Sequence, residues 1–203
     1  FPTEGSYLVL KAKQYNIFEN TIPGSTSPLT FETQDKFHQW YSLHGKYERY
    51  FNCFKNYTIG LHAEAHWMWV TGFLDNYTAT IISAPSFQPI LETRALYLPE
   101  NNGHDITALG LKNIFQFSDN ISLRIEGYLL QHYTKINSSS YNLPFYDISS
   151  PFKNRNFIGS AAFVFETPIG PISATSNYIK SRNQPWSFML NFGYLMYNER
   201  LAK

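Results

Sequence analysis

The amino-acid sequence predicts an all-β fold: an antiparallel up-and-down transmembrane β-barrel with about eight long strands. The first observation is composition, since aromatic residues make up 18% of the chain and charged residues only 15%, against about 25% charged residues in ordinary soluble domains. The second is a period-two alternation of apolar and polar residues, which is typical of strands with two different faces. Many rings and few charges suit contact with lipid, where Trp and Tyr lie at the headgroup level.

Charge and cysteine content exclude several other classes of protein. Lys+Arg 16 against Asp+Glu 15 gives a formal net charge of +1, so we expect no basic face for nucleic acid. The lone cysteine, Cys53, can form neither an internal disulfide nor a cysteine-based metal cluster. No apolar run approaches the ~18 residues of a membrane-spanning helix. A closed barrel is therefore the expected way for this chain to cross a bilayer.

The clearest predicted strand covers residues 57–70. One side of it is wholly apolar and consists of Tyr57, Ile59, Leu61, Ala63, Ala65, Trp67 and Trp69. The other side is mostly polar and includes His62, Glu64 and His66. Its length of about 14 residues exceeds the usual five or six and suits a tilted membrane strand.

The same alternation predicts the remaining strands and their connections. Clear strands cover 37–53, 121–129 and 187–196, and weaker ones cover 6–17, 106–118, 157–168 and 170–181. Short turns are predicted at 52–56, 118–120 and 167–171, and long polar loops at 20–35, 72–104 and 137–156. Short turns on one rim and long loops on the other are typical of an up-and-down barrel. We expect one barrel domain over 1–203 without a second domain, and the start at Phe1 indicates a processed or truncated part of a longer protein.

The polar sides of these strands predict a network in the barrel lumen. Its members are His44, Lys46, Glu48, His62, Glu64, His66, Arg124 and Glu126. Alternate residues of a strand lie about 6.6–7 Å apart, so one metal ion on the His-x-Glu-x-His run would need a further ligand such as His44 or Glu48. A polar lumen accounts for the same residues, and we expect neither a metal nor another cofactor. Arg124 and Glu126 are expected to brace the lumen as an Arg–carboxylate pair.

No catalytic residue is predicted in this chain. The sequence contains no Gly-x-Ser-x-Gly segment that would present a hydrolase nucleophile. It contains no glycine-rich phosphate-binding loop either. The sequence on its own therefore indicates a scaffold.

Several segments resemble a known family of bacterial barrels. The opening Phe1-Pro2-Thr3-Glu4-Gly5-Ser6 resembles the Phe-Pro-Thr-x-Gly segment of the surface-antigen superfamily. The segments 167–173, 185–188 and 190–195 resemble the last two strands of the barrel that follows a patatin-like phospholipase domain in Gram-negative bacteria. The segments 46–51 and 124–128 also fit that subgroup.

The resemblance implies a location, a function and partners. The family's barrel has sixteen strands, so this chain would be its second half, in the bacterial outer membrane. Its partners would be membrane lipid and either the N-terminal half with a patatin domain or a second copy of the chain. The function implied is anchoring or exporting a patatin-like lipolytic domain whose Ser–Asp dyad lies outside these residues. The alternative is a translocation or assembly barrel that secretes or inserts polypeptides.

One loop departs from the assembly barrels. Those barrels carry an Arg-Gly tip on the loop corresponding to 72–104, and that Arg meets an acidic strand motif. Residues 91–100 have no Arg-Gly pair, which weakens the translocation hypothesis; Arg94 is the candidate replacement, and Glu126 takes the acidic position. An independent eight-stranded barrel and a soluble lipocalin-like carrier, with its apolar residues pointing inward, are the other possibilities.

Overall fold

A computed structural model describes residues 4–22, 34–69, 84–137, 145–148 and 155–193. The strands are β1 (Gly5–Thr21), β2 (Gln34–Phe54), β3 (Tyr57–Met68), β4 (Ile106–Ser118), β5 (Ile121–His132), β6 (Thr134–Asn137), β7 (Phe145–Ile148), β8 (Arg155–Thr167), β9 (Gly170–Ile179) and β10 (Trp186–Phe192). A short helix α1 (Leu91–Ala95) and a 3-10 helix (Pro99–Asn101) lie between β3 and β4. Within the described ranges no helix has the length and hydropathy needed to span a membrane.

Eight of the strands form one antiparallel sheet. Its order is β1-β2-β3-β4-β5-β8-β9-β10, so each strand pairs with its neighbour along the chain, apart from a small β6–β7 sheet inserted after β5. The predicted all-β, antiparallel, up-and-down fold is therefore confirmed. Over the described residues β1 and β10 are the edge strands, and closure into a barrel stays a prediction.

The connections follow the predicted pattern of short turns and long loops. Two-residue turns at 55–56, 119–120 and 168–169 join β2 to β3, β4 to β5 and β8 to β9. The last turn ends at Gly170, whose φ of 128° favours glycine. The predicted loop 20–35 is shorter than expected because β1 and β2 continue pairing up to Thr21 and Gln34.

Other long connections were predicted as plain loops and contain additional structure. The loop 72–104 holds α1 and the 3-10 helix, and the loop 137–156 holds β7. These elements are five residues long or shorter, too short for a periodic pattern to reveal them. The remainder of the predicted strand 187–196 beyond Gly193, and Phe1-Pro2-Thr3 of the family-like opening, lie outside the described residues.

The sheet has an apolar face and a polar face. Residues paired directly across antiparallel strands point to the same side, so the ladder fixes both sets. The apolar face carries exposed side chains that include Leu8, Leu10, Leu43, Leu61, Trp67, Leu109, Leu111, Ile125, Phe157, Phe163, Ile172, Trp186, Phe188 and Leu190. The polar face is largely buried and includes His38, Trp40, His62, Arg124, Tyr128, Asn156, Ile158 and Asn177. The apolar residues of the alternating pattern therefore lie on the exposed face of the sheet.

Residues 84–105, which we call the covering segment, pack on the polar face. Phe87 and Ile90 of this segment form the main hydrophobic core with Ile106, Ala108, Tyr128, Leu130, Ile158 and Ile179. The segment closes on itself, since Phe87 N donates to Asn101 O at 3.0 Å and Gly103 N donates to Pro85 O at 3.1 Å. A second small core joins Trp40 and Met68. The core therefore lies between the sheet and the covering segment.

Candidate functional site: two carboxylate clusters on the polar face

Six residues of the predicted polar network meet across the β2–β3 ladder. The register pairs His44 with His66, Lys46 with Glu64, and Glu48 with His62. All six side chains are on the polar face because they alternate in step along two directly paired strands. The structure therefore brings together the residues that the sequence predicted on these two strands.

Glu64 lies at the centre of three histidines. Its Oε1 is 3.0 Å from His44 Nε2 and 3.3 Å from His66 Nε2. Its Oε2 is 3.3 Å from His62 Nε2. The rings of His44 and His66 are stacked, with 3.9 Å between their centroids and 7° between their planes. We call His44, His62, Glu64 and His66 the histidine cluster.

Glu48 contacts the histidine cluster through His62. Its Oε1 is 3.0 Å from His62 Nδ1 and 3.2 Å from Lys46 Nζ. Its Oε2 is 3.2 Å from Lys112 Nζ and accepts a hydrogen bond from Tyr50 OH at 3.0 Å. Glu48 thus links the histidine cluster to two ammonium groups.

Lys112 is a member of this network that the sequence analysis did not identify. It belongs to β4, opposite Gly60 in the ladder, and its Nζ also donates to Tyr50 OH at 3.0 Å. The alternation within the weaker predicted strand 106–118 already places it on the polar side. That pattern could therefore have identified it.

Arg124 and Glu126 lie on the same face two strands away from β3. Arg124 is buried, and Glu126 accepts a hydrogen bond from Tyr128 OH at 2.7 Å. Glu126 is also opposite Lys112 in the β4–β5 ladder. Arg124 and Glu126 therefore share the polar face with Lys112 and the residues of β2 and β3, and a bracing role for them stays a prediction.

A second cluster surrounds Glu92 of the covering segment. Asn177 Nδ2 donates to Glu92 Oε2 at 2.9 Å, and Arg182 and Ser187 also donate to this carboxylate. Glu92 is 4% exposed. The contact joins α1 to β9, β10 and the connection between them, and we call these four residues the Glu92 cluster.

The charged residue that joins the covering segment to the sheet side is acidic, whereas a basic residue was the predicted candidate. The candidate was Arg94 acting on an acidic strand residue, but Arg94 is exposed and its Nε donates to Gln88 O at 3.2 Å within the segment. The ion pair to the sheet side is formed by Glu92 with Arg182. No local pattern marks Glu92, because its partners lie 85 to 95 residues further along the chain.

The two clusters offer different chemistry. In the described part of the chain, His44, Glu64 and His66 form a group whose ligand atoms all lie within 4.8 Å of one another, close enough to hold a metal ion. The Glu92 cluster is a set of donors around one carboxylate, which fastens one element to another. Comparisons with models of protein families, with curated proteins and with solved structures found no match to the chain.

Proposed function

We propose that this chain is part of a bacterial outer-membrane β-barrel. Its apolar face would contact lipid, and its polar face would line a lumen that the covering segment fills. The observation that carries the proposal is the exposure of the apolar face, where Leu10 is 75% and Leu190 is 85% exposed. Strands of 10 to 21 residues over most of the sheet also suit a tilted crossing of the bilayer.

An apolar sheet face of this extent is difficult to reconcile with water on both sides. The largest apolar patch on a typical soluble monomer is about 300–600 Å². In this chain large hydrophobic residues are exposed on the apolar side of all eight strands of the main sheet, and β1 contributes Leu8 and Leu10. A lipocalin-like carrier would have the reverse arrangement, with these residues pointing inward. The open apolar face therefore favours a lipid environment.

The two edge strands support a larger barrel. An edge left unpaired in hydrocarbon exposes backbone donors and acceptors without water to satisfy them. β1 and β10 would pair with each other in an independent eight-stranded barrel, and each would pair with a further strand in a larger one. The resemblance to sixteen-stranded barrels supplies a candidate, the N-terminal half, and a second copy of this chain is the other.

The activity that the barrel serves is proposed from the sequence resemblance. It would anchor or export a patatin-like lipolytic domain whose catalytic residues are outside these 203 residues.

An antibody against residues 155–193 would identify the native polypeptide in outer-membrane fractions, and the mass and sequence of that polypeptide would then be determined. We expect a larger polypeptide with a Gly-x-Ser-x-Gly segment and esterase activity that is lost when that Ser is replaced. A native polypeptide outside the membrane fraction would contradict the proposal as a whole.

A translocation or assembly barrel is the second candidate. The covering segment favours it, because a lumen filled by a separate segment can open, and release of the Glu92 cluster would loosen the contact of that segment with β9 and β10. Conductance across a planar lipid bilayer distinguishes the two functions. A translocation barrel predicts long open states, more frequent in a Glu92→Gln variant, whereas an anchoring barrel predicts closed states in the wild-type protein.

A further inference from the structure

We propose that the histidine cluster is a binding site for a divalent transition-metal ion of the zinc type. His44, Glu64 and His66 would be three of its ligands, and His62 Nε2 would be the fourth. The sequence alone favours a plain polar network at these positions. In the structure the donor atoms of His44, Glu64 and His66, which come from two strands, lie within 4.8 Å of one another, and His62 Nε2 is 3.3 Å from the second oxygen of Glu64.

The distances match those between ligands of a small tetrahedral ion. Ligand atoms about 2.0–2.1 Å from a tetrahedral zinc lie about 3.3 Å from each other. Glu64 Oε1 is 3.0 Å from His44 Nε2 and 3.3 Å from His66 Nε2. His62 Nε2 is 3.3 Å from Glu64 Oε2. To bind one ion, the stacked His44 and His66 rings would rotate so that both Nε2 atoms point to one position beside Glu64 Oε1, and His62 would move closer to that position.

His62 supplies an independent observation. Its Nε2 is buried and has no hydrogen-bond partner, although Glu64 Oε2 is close. Its Nδ1 contacts Glu48 Oε1 at 3.0 Å, and this contact holds the ring with Nε2 directed towards Glu64. His62 Nε2 thus faces a carboxylate oxygen, and a metal ion between the two atoms would be bound by both. Metal-bound histidines commonly have such a carboxylate on their other nitrogen.

The charges around the cluster are compatible with a divalent cation. Lys46 and Lys112 both bind Glu48, whereas the ion pairs of Glu64 within the described ranges are with His44, His62 and His66. Lys11 lies opposite His44 in the ladder and opposes cation binding. Imidazole with one carboxylate suits zinc and its neighbours better than Mg²⁺ or Ca²⁺.

The site is independent of the proposed contact with lipid. Every ligand is positioned by the β2–β3 ladder, which is the same whatever covers the apolar face. Failure of the membrane proposal would leave this inference intact, and the reverse also holds.

Calorimetric titration of the full, tag-free chain with ZnCl₂ tests the inference. We expect one saturable Zn²⁺ per folded chain, reversed by a chelator and unaffected by excess Mg²⁺ or Ca²⁺. Co²⁺ in place of Zn²⁺ should give the intense visible absorption of four-coordinate cobalt. Absence of saturable Zn²⁺ binding by the folded wild-type chain would overturn the proposal.

Variants separate this site from incidental histidine binding. His44→Asn, His66→Asn and Glu64→Gln should each abolish the saturable binding. The control is His38→Asn, on the same strand and face, whose Nε2 contacts Glu19 at 2.6 Å; it should bind Zn²⁺ as the wild type does. Glu48→Gln should weaken binding about 10–100-fold by releasing His62.

Circular dichroism would establish that each variant keeps its β structure. Undiminished binding by the folded His44→Asn and His66→Asn variants would contradict the assignment. If one of these does not fold, the other and the Co²⁺ spectrum of the wild type still decide it.

Discussion

The two faces of the same sheet are packed very differently. On the polar face, a Cβ added at Gly110 would lie 2.4 Å from Tyr128 Cδ1 and 3.2 Å from His62 Cβ. On the apolar face, a Cβ at Gly127 would meet Phe157 at an ordinary 3.6 Å. These glycines are on paired strands. The crowded side is therefore the polar one, and the open side is apolar, the reverse of a water-soluble sheet with a single hydrophobic face.

The largest effect is expected from a charge on the apolar face. Leu111 is paired with Leu61 and exposed on that face. In a lipid bilayer, Leu111→Lys should lower the free energy of unfolding by about 2–4 kcal/mol, because an ammonium group at mid-depth is poorly solvated. Urea unfolding in lipid vesicles, followed by tryptophan fluorescence, measures it.

The matched control for that variant is Asn56→Lys in the exposed β2–β3 turn. It should change the free energy of unfolding by less than about 0.5 kcal/mol, as surface substitutions usually do. If Leu111→Lys is as mild as Asn56→Lys, the apolar face does not contact lipid.

The next effect is expected from the covering segment, which packs on the polar face. Glu92→Gln removes the charge that Asn177, Arg182 and Ser187 contact. We expect a loss of about 2 kcal/mol, since hydrogen bonds to charged groups contribute about 1.5–3 kcal/mol. Hydrogen exchange within residues 84–105 should accelerate before the strands are affected. The control is Glu100→Gln, an exposed residue of the same segment, and equal exchange in both variants would contradict a fastening role.

A smaller effect is expected from the two glycines. Gly110→Ala forces Tyr128 to move, and this ring is 1% exposed and bonded to Glu126. Overpacking of this type should cost roughly 1–2 kcal/mol. Gly127→Ala should be nearly neutral. Thermal unfolding of both variants in the same detergent compares them, and a milder Gly110→Ala would show that the polar face is not tightly packed.

The sequence predicted the faces better than it predicted what lies on them. Alternation identifies both sides of β3, and the same rule places Glu48 and Lys112 on the polar side. It does not give the strand register, which decides that Glu64 meets His44. Register depends on turns and bulges such as the shift between Asn52 and Phe54.

The position of the covering segment could not be predicted from local patterns. Phe87 and Glu92 fit an ordinary polar loop with scattered apolar residues. Their partners, such as Tyr128 and Asn177, come from strands far along the chain. Contacts at such separations are set by the tertiary fold and leave no periodic signal.

Quenching of tryptophan fluorescence by brominated lipids tests directly whether the apolar face contacts lipid. Two single-tryptophan variants of the chain in vesicles are compared, one retaining Trp186 and the other Trp40. Trp186 is on the apolar face and 61% exposed, whereas Trp40 is on the polar face and 2% exposed. We expect strong quenching of Trp186 and little quenching of Trp40. Equal quenching of both, or quenching of Trp186 by aqueous iodide instead, would contradict an apolar face in contact with lipid.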